Sequence, residues 1–278
     1  MASVVTVPVL MYHHVRPGGG MIATTPEHFE DQLRWLARRG YTALGADEFA
    51  RHLREGGAPR RSVLITFDDG YLDNWVYAAP LLRRYGMKAV VFIVTGWIGD
   101  GPVRPCMGEG ASPPEAPEHR ECERRIAEGK ADEVMLRWSE IEAMRAQGLV
   151  EFHSHTHTHT RWDQTDPAGK NARMADELAQ SRAALARRLG EASPHLCWPQ
   201  GYFDADYVDI ARRAGFRYLY TTQAFGRNLP GADPLNIYRF AVRDTTGASV
   251  GRRIQVAAHP LIGPLFNRWK RWKRRLRA

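Results

Sequence analysis

Apolar residues fall along the chain in two alternating kinds of stretch. One is a short unbroken run, as at residues 4–10, 62–67, 89–94, 149–152, 195–198 and 218–222. Runs this brief, rich in β-branched and aromatic residues and stopped by turn formers, predict strands. The other kind is spaced three and four apart. Thr25 offers an N-cap, Pro26 the first helical position, Phe29, Leu33 and Leu36 one apolar face, and Gly40 a stop. Further helices are expected up to Gly86, from Ser139 to Gly148, over about 172–189 and up to Gly215. Strand alternating with helix predicts an α/β fold with a parallel sheet and right-handed crossovers. At 278 residues a distorted (β/α) barrel of seven or eight parallel strands fits better than an open sheet. No internal repeat is evident.

Two segments break the alternation. Residues 99–133 are rich in Gly, Pro and Glu and too long for an ordinary connection, so they are expected as a long inserted loop. Residues 161–171 form a shorter polar loop. Each follows a strand end and is a candidate lid or wall. The expected organisation is one domain over 1–264 carrying the 99–133 insertion, then a tail over 265–278.

Composition changes this picture little; charge changes it more. Apolar residues are 44% and charged residues 25%, ordinary for a globular chain. Of 39 Lys and Arg, seven lie in 267–278, leaving 32 basic against 31 acidic residues elsewhere. The net charge of +8 is therefore a property of the tail, and a nucleic-acid partner is excluded for the body. Cys106, Cys122 and Cys197 are odd in number, far apart and without a CxxC, which suits reduced thiols and a cytoplasmic location. Residues 1–15 are apolar but have neither a positive start nor a small-residue cleavage site, so they read as a first strand. No stretch approaches the roughly 20 apolar residues of a membrane helix.

In a parallel α/β fold, chemistry belongs at the carboxyl ends of strands. Unusual polar residues fall there four times: His13-His14, Asp68-Asp69, the run from His153 to His159, and Trp198-Pro199-Gln200-Gly201. An isolated Asp-Asp-Gly usually caps a turn. Directly after an apolar strand, two adjacent carboxylates repel and are costly to desolvate, and a cation relieves both. His153, His155, His157 and His159 have period two. A solvated His-rich tract is the bland account, but a metal better explains gathering so many imidazoles. Two His and one carboxylate leave open positions, as a catalytic rather than a structural metal requires. Spacing leaves two pairs open, His153 with His157 or His155 with His159.

Thr66-Phe67-Asp68-Asp69-Gly70 together with Ser154-His155-Thr156-His157-Thr158-His159 resembles the paired motifs of the polysaccharide deacetylase family, carbohydrate esterase family 4. The resemblance implies that Asp68 is the catalytic base and that Asp69, His155 and His159 hold a divalent metal, zinc by expectation. It extends to Trp198, Pro199, Gln200 and Gly201, similar to the family segment that lines the site and offers a backbone N–H to the oxyanion, with Gln200 where Tyr is common. Residues 10–15 resemble the circularly permuted branch that includes the poly-N-acetylglucosamine deacetylases. That makes His13 the general acid, rather than His259 near the C-terminus, and adds Tyr12 to the substrate-lining residues. The implied activity is metal-dependent removal of N-acetyl groups from an acetylated amino sugar or glycan, free or lipid-linked. An O-acetyl esterase and an inactive glycan- or membrane-binding module are the alternatives.

Other residues receive plainer expectations. His119, Glu121 and Cys122 read as surface residues of a polar loop rather than a second metal cluster. His28 and His52 are expected in solvent, and His14 as a neighbour of the acid. Asp73 either supports the site or begins the next helix. Read as a helix, the tail gathers Leu265, Trp269, Trp272 and Leu276 on one face. That face either packs on the barrel or, flanked by cations, meets an anionic membrane, in which case the protein is peripheral at the inner membrane surface.

Overall fold

Strand and helix alternate through the computed structural model, which describes residues 5–275. The strands are β1 (Val9–Tyr12), β2 (His14–Val15), β3 (Ala23–Thr24), β4 (Thr42–Ala43), β5 (Ser62–Phe67), β6 (Ala89–Ile93), β7 (Val150–Ser154), β8 (His195–Cys197), β9 (Tyr218–Tyr220) and β10 (Phe240–Ala241). The α-helices are α1 (Pro26–Arg38), α2 (Ala46–Glu55), α3 (Ala79–Tyr85), α4 (His119–Ala127), α5 (Trp138–Ala146), α6 (Trp162–Thr165), α7 (Lys170–Leu189), α8 (Ala205–Arg213), α9 (Gly247–Ala258) and α10 (Ile262–Arg275). One turn of π-helix, Asn74–Ala78, leads into α3.

The main sheet runs β10-β1-β5-β6-β7-β8-β9, with β4 on the lower end of β5, and every pairing is parallel. It curls into a half-barrel, a distorted (β/α) barrel of seven strands along that path. Its edges, β9 and β10, are joined by the segment between them: Ile237 bridges Tyr220, and the Arg239 N–H donates to the Gln223 carbonyl at 3.2 Å.

The pleat sorts the strand residues between two cores. Val63, Ile65 and Phe67 on β5 and Ala89, Val91 and Ile93 on β6 face outward and pack with helices α1, α3 and α5. Leu64, Val90, Phe92, Cys197 and Tyr220 face inward, where Phe49, Ala50 and Leu53 of α2 meet them and close the amino end of the barrel. α2, the helix expected around His52, starts at the N-cap Gly45 and buries Ala46, Phe49, Ala50 and Leu53 along one face. His52, expected in solvent, is buried within it, with Nε2 3.1 Å from the Val5 carbonyl. Other elements match expectation closely. Thr25 caps α1, accepting from the His28 N–H, and Gly86 ends α3 in the left-handed region. The first strand lies at Val9–Tyr12, later than the 4–10 run.

The 99–133 segment is not a bare loop. It carries α4, whose Cys122 packs with Tyr71, Val134 and Met135. Glu121 pairs with Arg124 and Arg125 on the same helix. Among the described residues no helix is long and apolar enough to cross a membrane.

Candidate active site

At the carboxyl ends of the strands the inward positions turn polar. Asp68 continues the inward row of β5 (Leu64, Thr66), His155 that of β7, and His13 that of β1. Adjacent residues on a strand point to opposite faces, yet Asp69 joins the same cavity because its backbone is left-handed, φ 75°. Thr156 and His159 share that conformation and fold the end of β7 back, bringing His159 level with His155.

Nε2 of His155 and of His159 lie 3.3 and 3.5 Å from the same Asp69 oxygen, and the two rings are 5.0 Å apart. Donors about 2.1 Å from one tetrahedral cation stand roughly 3.4 Å from one another, so these three fit a metal. The Nδ1 of His155, 2.8 Å from the Cys197 carbonyl, fixes the ring with Nε2 toward the cavity. A second grouping, Asp68 with His155 and Cys197, also lies within reach of one ion. It fits less well. Burial pushes the Cys197 thiol above its ordinary value, and both Asp68 oxygens are already engaged.

Their partner is Arg239, fully buried, which donates Nη1 to one Asp68 oxygen at 2.7 Å and Nη2 to the other at 2.8 Å. Burial opposes ionisation of Asp68, but the guanidinium outweighs it and holds the carboxyl below its ordinary value. Asp69 is also depressed: burial raises it and the facing histidines pull it down further. Burial lowers His159 to about 4, keeping it neutral. His13 is lowered by burial as well, against the pull of Asp68 and Asp69; its Nε2 stands 3.9 Å from Asp68.

The supports come from distant parts of the chain. Asn74 donates to the His13 carbonyl at 2.8 Å. Asp73 holds the next two residues, His14 Nδ1 at 2.6 Å and the Val15 N–H at 3.2 Å. Buried Glu177 accepts from the backbone N–H groups of His157 and Thr158, both at 2.8 Å, and so ties down the turn carrying His159.

The cavity, about 130 Å³, is lined by His13, Asp68, Asp69, His155, His159, Trp198, Gln200 and Gly201, among others. Gln200 is left-handed, φ 52°, and accepts from Arg161 at 3.2 Å, which joins the 161–171 loop to this wall. Gly201 is also left-handed, and a β-carbon there would overlap Thr222. Pro199 shapes the turn without lining the cavity.

Tyr12 does not reach it. Its parity on β1 is opposite to that of His13, so it packs between Phe29 and Phe67 and donates to Gln32 at 2.8 Å. His119, expected at the surface, is the reverse case. α4 carries it to the cavity, where it meets His14 Nε2 and the Tyr71 hydroxyl, each at 3.3 Å. His28 pairs with Asp244 at 2.6 Å, partly exposed, and His259 ends α9 in solvent, outside the cavity.

Residues 55–219 match the family model described as polysaccharide deacetylase. A Bacillus subtilis protein provisionally named polysaccharide deacetylase YxkH is 27% identical over 217 residues, 78% of this chain and 64% of that protein. The poly-beta-1,6-N-acetyl-D-glucosamine N-deacetylase of Staphylococcus aureus is 24% identical over 207 residues, 72% of this chain and 61% of that protein. The chain thus spans less than two thirds of the length of these curated relatives. The solved structure of IcaB from Ammonifex degensii is similar with a TM-score of 0.71 at 26% identity, covering 90% of this chain and 97% of that one. The Streptococcus pyogenes deacetylase PplD in complex with acetate shares the fold, with a TM-score of 0.71 at 22% identity over 91% and 99% of the two chains. On this match of more than half its length, the chain belongs to the polysaccharide deacetylase family.

Proposed function

We propose that the protein is a metal-dependent carbohydrate N-deacetylase, hydrolysing the N-acetyl amide of an acetylated amino sugar or glycan to acetate and the free amine. One observation carries this reading: a single cavity holds two adjacent carboxylates given different partners, Asp69 facing two imidazoles and Asp68 clamped by Arg239 across from His13. Asp69, His155 and His159 would hold the cation, and two imidazoles with one carboxylate suit zinc. A divalent cation bound there polarises the acetyl carbonyl and makes water more acidic.

The chain's own groups do the rest. Asp68, kept ionised and oriented by Arg239, takes the proton of the attacking water. His13, whose burial makes it hold a proton weakly, delivers one to the departing amine. The Gln200 N–H would stabilise the oxyanion, with Trp198 and Gly201 shaping the wall. The resemblance of the deacetylase of Staphylococcus aureus, named for poly-β-1,6-N-acetyl-D-glucosamine, favours an N-acetylated glycan. Acetate release from N-acetylglucosamine oligomers is the test, beside acetylated xylan. Release from xylan alone would make the protein an O-acetyl esterase, and release from neither by metal-loaded protein would make it a binding module.

The same reading extends to where the enzyme works. α10 turns Phe266 and Asn267 to the body, Asn267 donating to the Gly226 carbonyl at 3.2 Å. Leu265, Trp269 and Trp272 are left 69%, 44% and 57% exposed, and Leu276 lies outside the described residues. An apolar stripe turned away from the body, with Lys270 and Lys273 over the Trp269 ring, supports docking on an anionic lipid surface rather than packing on the barrel. Three buried, unpaired cysteines favour the cytoplasmic side, where a lipid-linked sugar would be met. Protein should sediment with anionic vesicles and not with neutral ones. Deleting 265–278 should abolish this; unchanged sedimentation would return the tail to a packing role.

A further inference from the structure

The hydrolytic groups leave the 99–133 insertion without a task, yet it is pinned to the body along its length. Arg104 donates Nε and Nη2 to the fully buried Glu140 carboxylate, each at 2.7 Å, and Nη2 also to the Met135 carbonyl at 2.7 Å. Its own carbonyl accepts from Trp75 Nε1 at 2.7 Å. Further along, the Ala116 carbonyl accepts from Arg16 Nε at 2.9 Å, and Cys122 seats α4 against Tyr71. A segment fixed at so many points is a wall rather than a lid.

α4 presents two side chains one turn apart to the catalytic cavity, His119 and Glu123. A buried chain of groups aims the imidazole. Asp73 accepts from His14 Nδ1 at 2.6 Å, which leaves His14 Nε2 as an acceptor. The atom that faces it, 3.3 Å away, is His119 Nδ1, so the His119 proton sits there, with the Tyr71 hydroxyl oxygen at the same distance. Burial holds His119 below its ordinary value and keeps it neutral, so its Nε2 is an acceptor too. Opposite that atom, at 3.5 Å, stands the Glu123 carboxylate, 60% exposed at the cavity mouth. Two acceptors thus face each other, and one is an anion. Among the described residues Glu123 has no Lys or Arg within ion-pair distance; His119 is its sole partner. A protonated amine answers both needs from a single atom, with N–H donors for the two acceptors and a charge for the carboxylate.

Taking the protein as an N-deacetylase, we propose that His119 and Glu123 form a subsite for a glucosaminium unit, a sugar already freed of its acetyl group beside the one being hydrolysed. The reaction makes this group itself. Each deacetylated unit then helps to seat the acetylated unit next to it, and the enzyme works outward from amines already present in the chain.

The test measures acetate release by full-length, metal-loaded protein from two N-acetylglucosamine oligomers of equal length, one fully acetylated and one with a single free glucosamine unit. KM should be about fivefold lower for the mixed oligomer, the scale of a partly exposed charge pair, and the preference should fade in roughly 1 M salt. Glu123→Gln should bring the two KM values together, and Glu123→Lys should reverse their order. Equal KM values in the wild type, or a preference that survives Glu123→Gln, would overturn the subsite and leave the deacetylase reading standing. Release from neither oligomer would overturn both, and the two failures are told apart by whether the wild type is active.

Discussion

The two ends of the half-barrel are built from the same strands and finish differently. At the amino end α2 lies across the opening, and the inward residues it meets are Leu64, Val90, Phe92 and Tyr220. At the carboxyl end α4 reaches only the rim of the cavity, through His119 and Glu123, and the same inward rows finish in Asp68, His155 and, beside them, Arg239 and His13. The alternation of the pleat is common to both. What differs is the cover: where α2 packs across, the inward residues are mostly apolar, with the imidazoles of His153 and His195 as exceptions, whereas the end from which loops leave keeps charged groups, each with a counter-charge. Asp68 finds Arg239, and Asp69 finds two imidazoles.

The largest effect expected from breaking this contrast lies at the open end. Asp69→Ala or His155→Ala should lower metal content by about one equivalent per chain, by elemental analysis, and take acetate release below detection. Retention of full metal content by both variants would remove the assigned ligands. Next come the proton carriers. Asp68→Asn and His13→Ala should keep that metal while slowing acetate release by roughly 10²-fold or more. Near-normal turnover in His13→Ala beside a large loss in His259→Ala would move the acid to the other end of the chain.

These same residues show what could be read from sequence. The strand at Ser62–Phe67 and the carboxylates after it were legible because an unbroken apolar run leaves one local structure and two acids at its end are conspicuous. The choice of His155 with His159 came from resemblance alone; the structural reason is a pair of left-handed residues, Thr156 and His159, that no hydrophobic pattern encodes. Arg239 was not legible. Its partner lies 171 residues away, and within a short hydrophobic stretch it looks like an outward-facing strand residue. Glu177 was hidden in the same way, a charged residue on a long Ala/Arg helix whose burial depends on the turn it caps. His119 was misread because a polar insertion looks like solvent-exposed loop until α4 is seen to fold back over Tyr71.

At the sealed end the expected effect is on stability rather than rate. Phe49 is fully buried in the inner core, 6.2 Å from the Tyr220 ring. Phe49→Ala should cost about 3–5 kcal/mol by denaturant unfolding. Well below its melting temperature the variant should hydrolyse substrate with wild-type kcat. A comparable loss of kcat would mean that α2 and the open end are coupled, and that the two ends are not separable parts.

The smallest effect tests the pleat itself. Tyr12 and His13 are neighbours in sequence and were both expected at the substrate, yet on a strand they must face opposite ways. Tyr12 faces the outer core, where its hydroxyl donates to Gln32 and Gln32 in turn donates to the Thr245 carbonyl at 2.7 Å. Tyr12→Phe keeps the ring that packs on Phe29 and Phe67 and removes only the hydroxyl. The Gln32 carbonyl oxygen then loses its donor in a buried place, which should cost about 1–2 kcal/mol of stability. KM and kcat should stay within about twofold of wild type, because the strand lies between the substituted atom and the cavity. A KM raised tenfold with stability unchanged would show Tyr12 reaching the sugar, and the parity that separates the two faces of β1 would have to be abandoned.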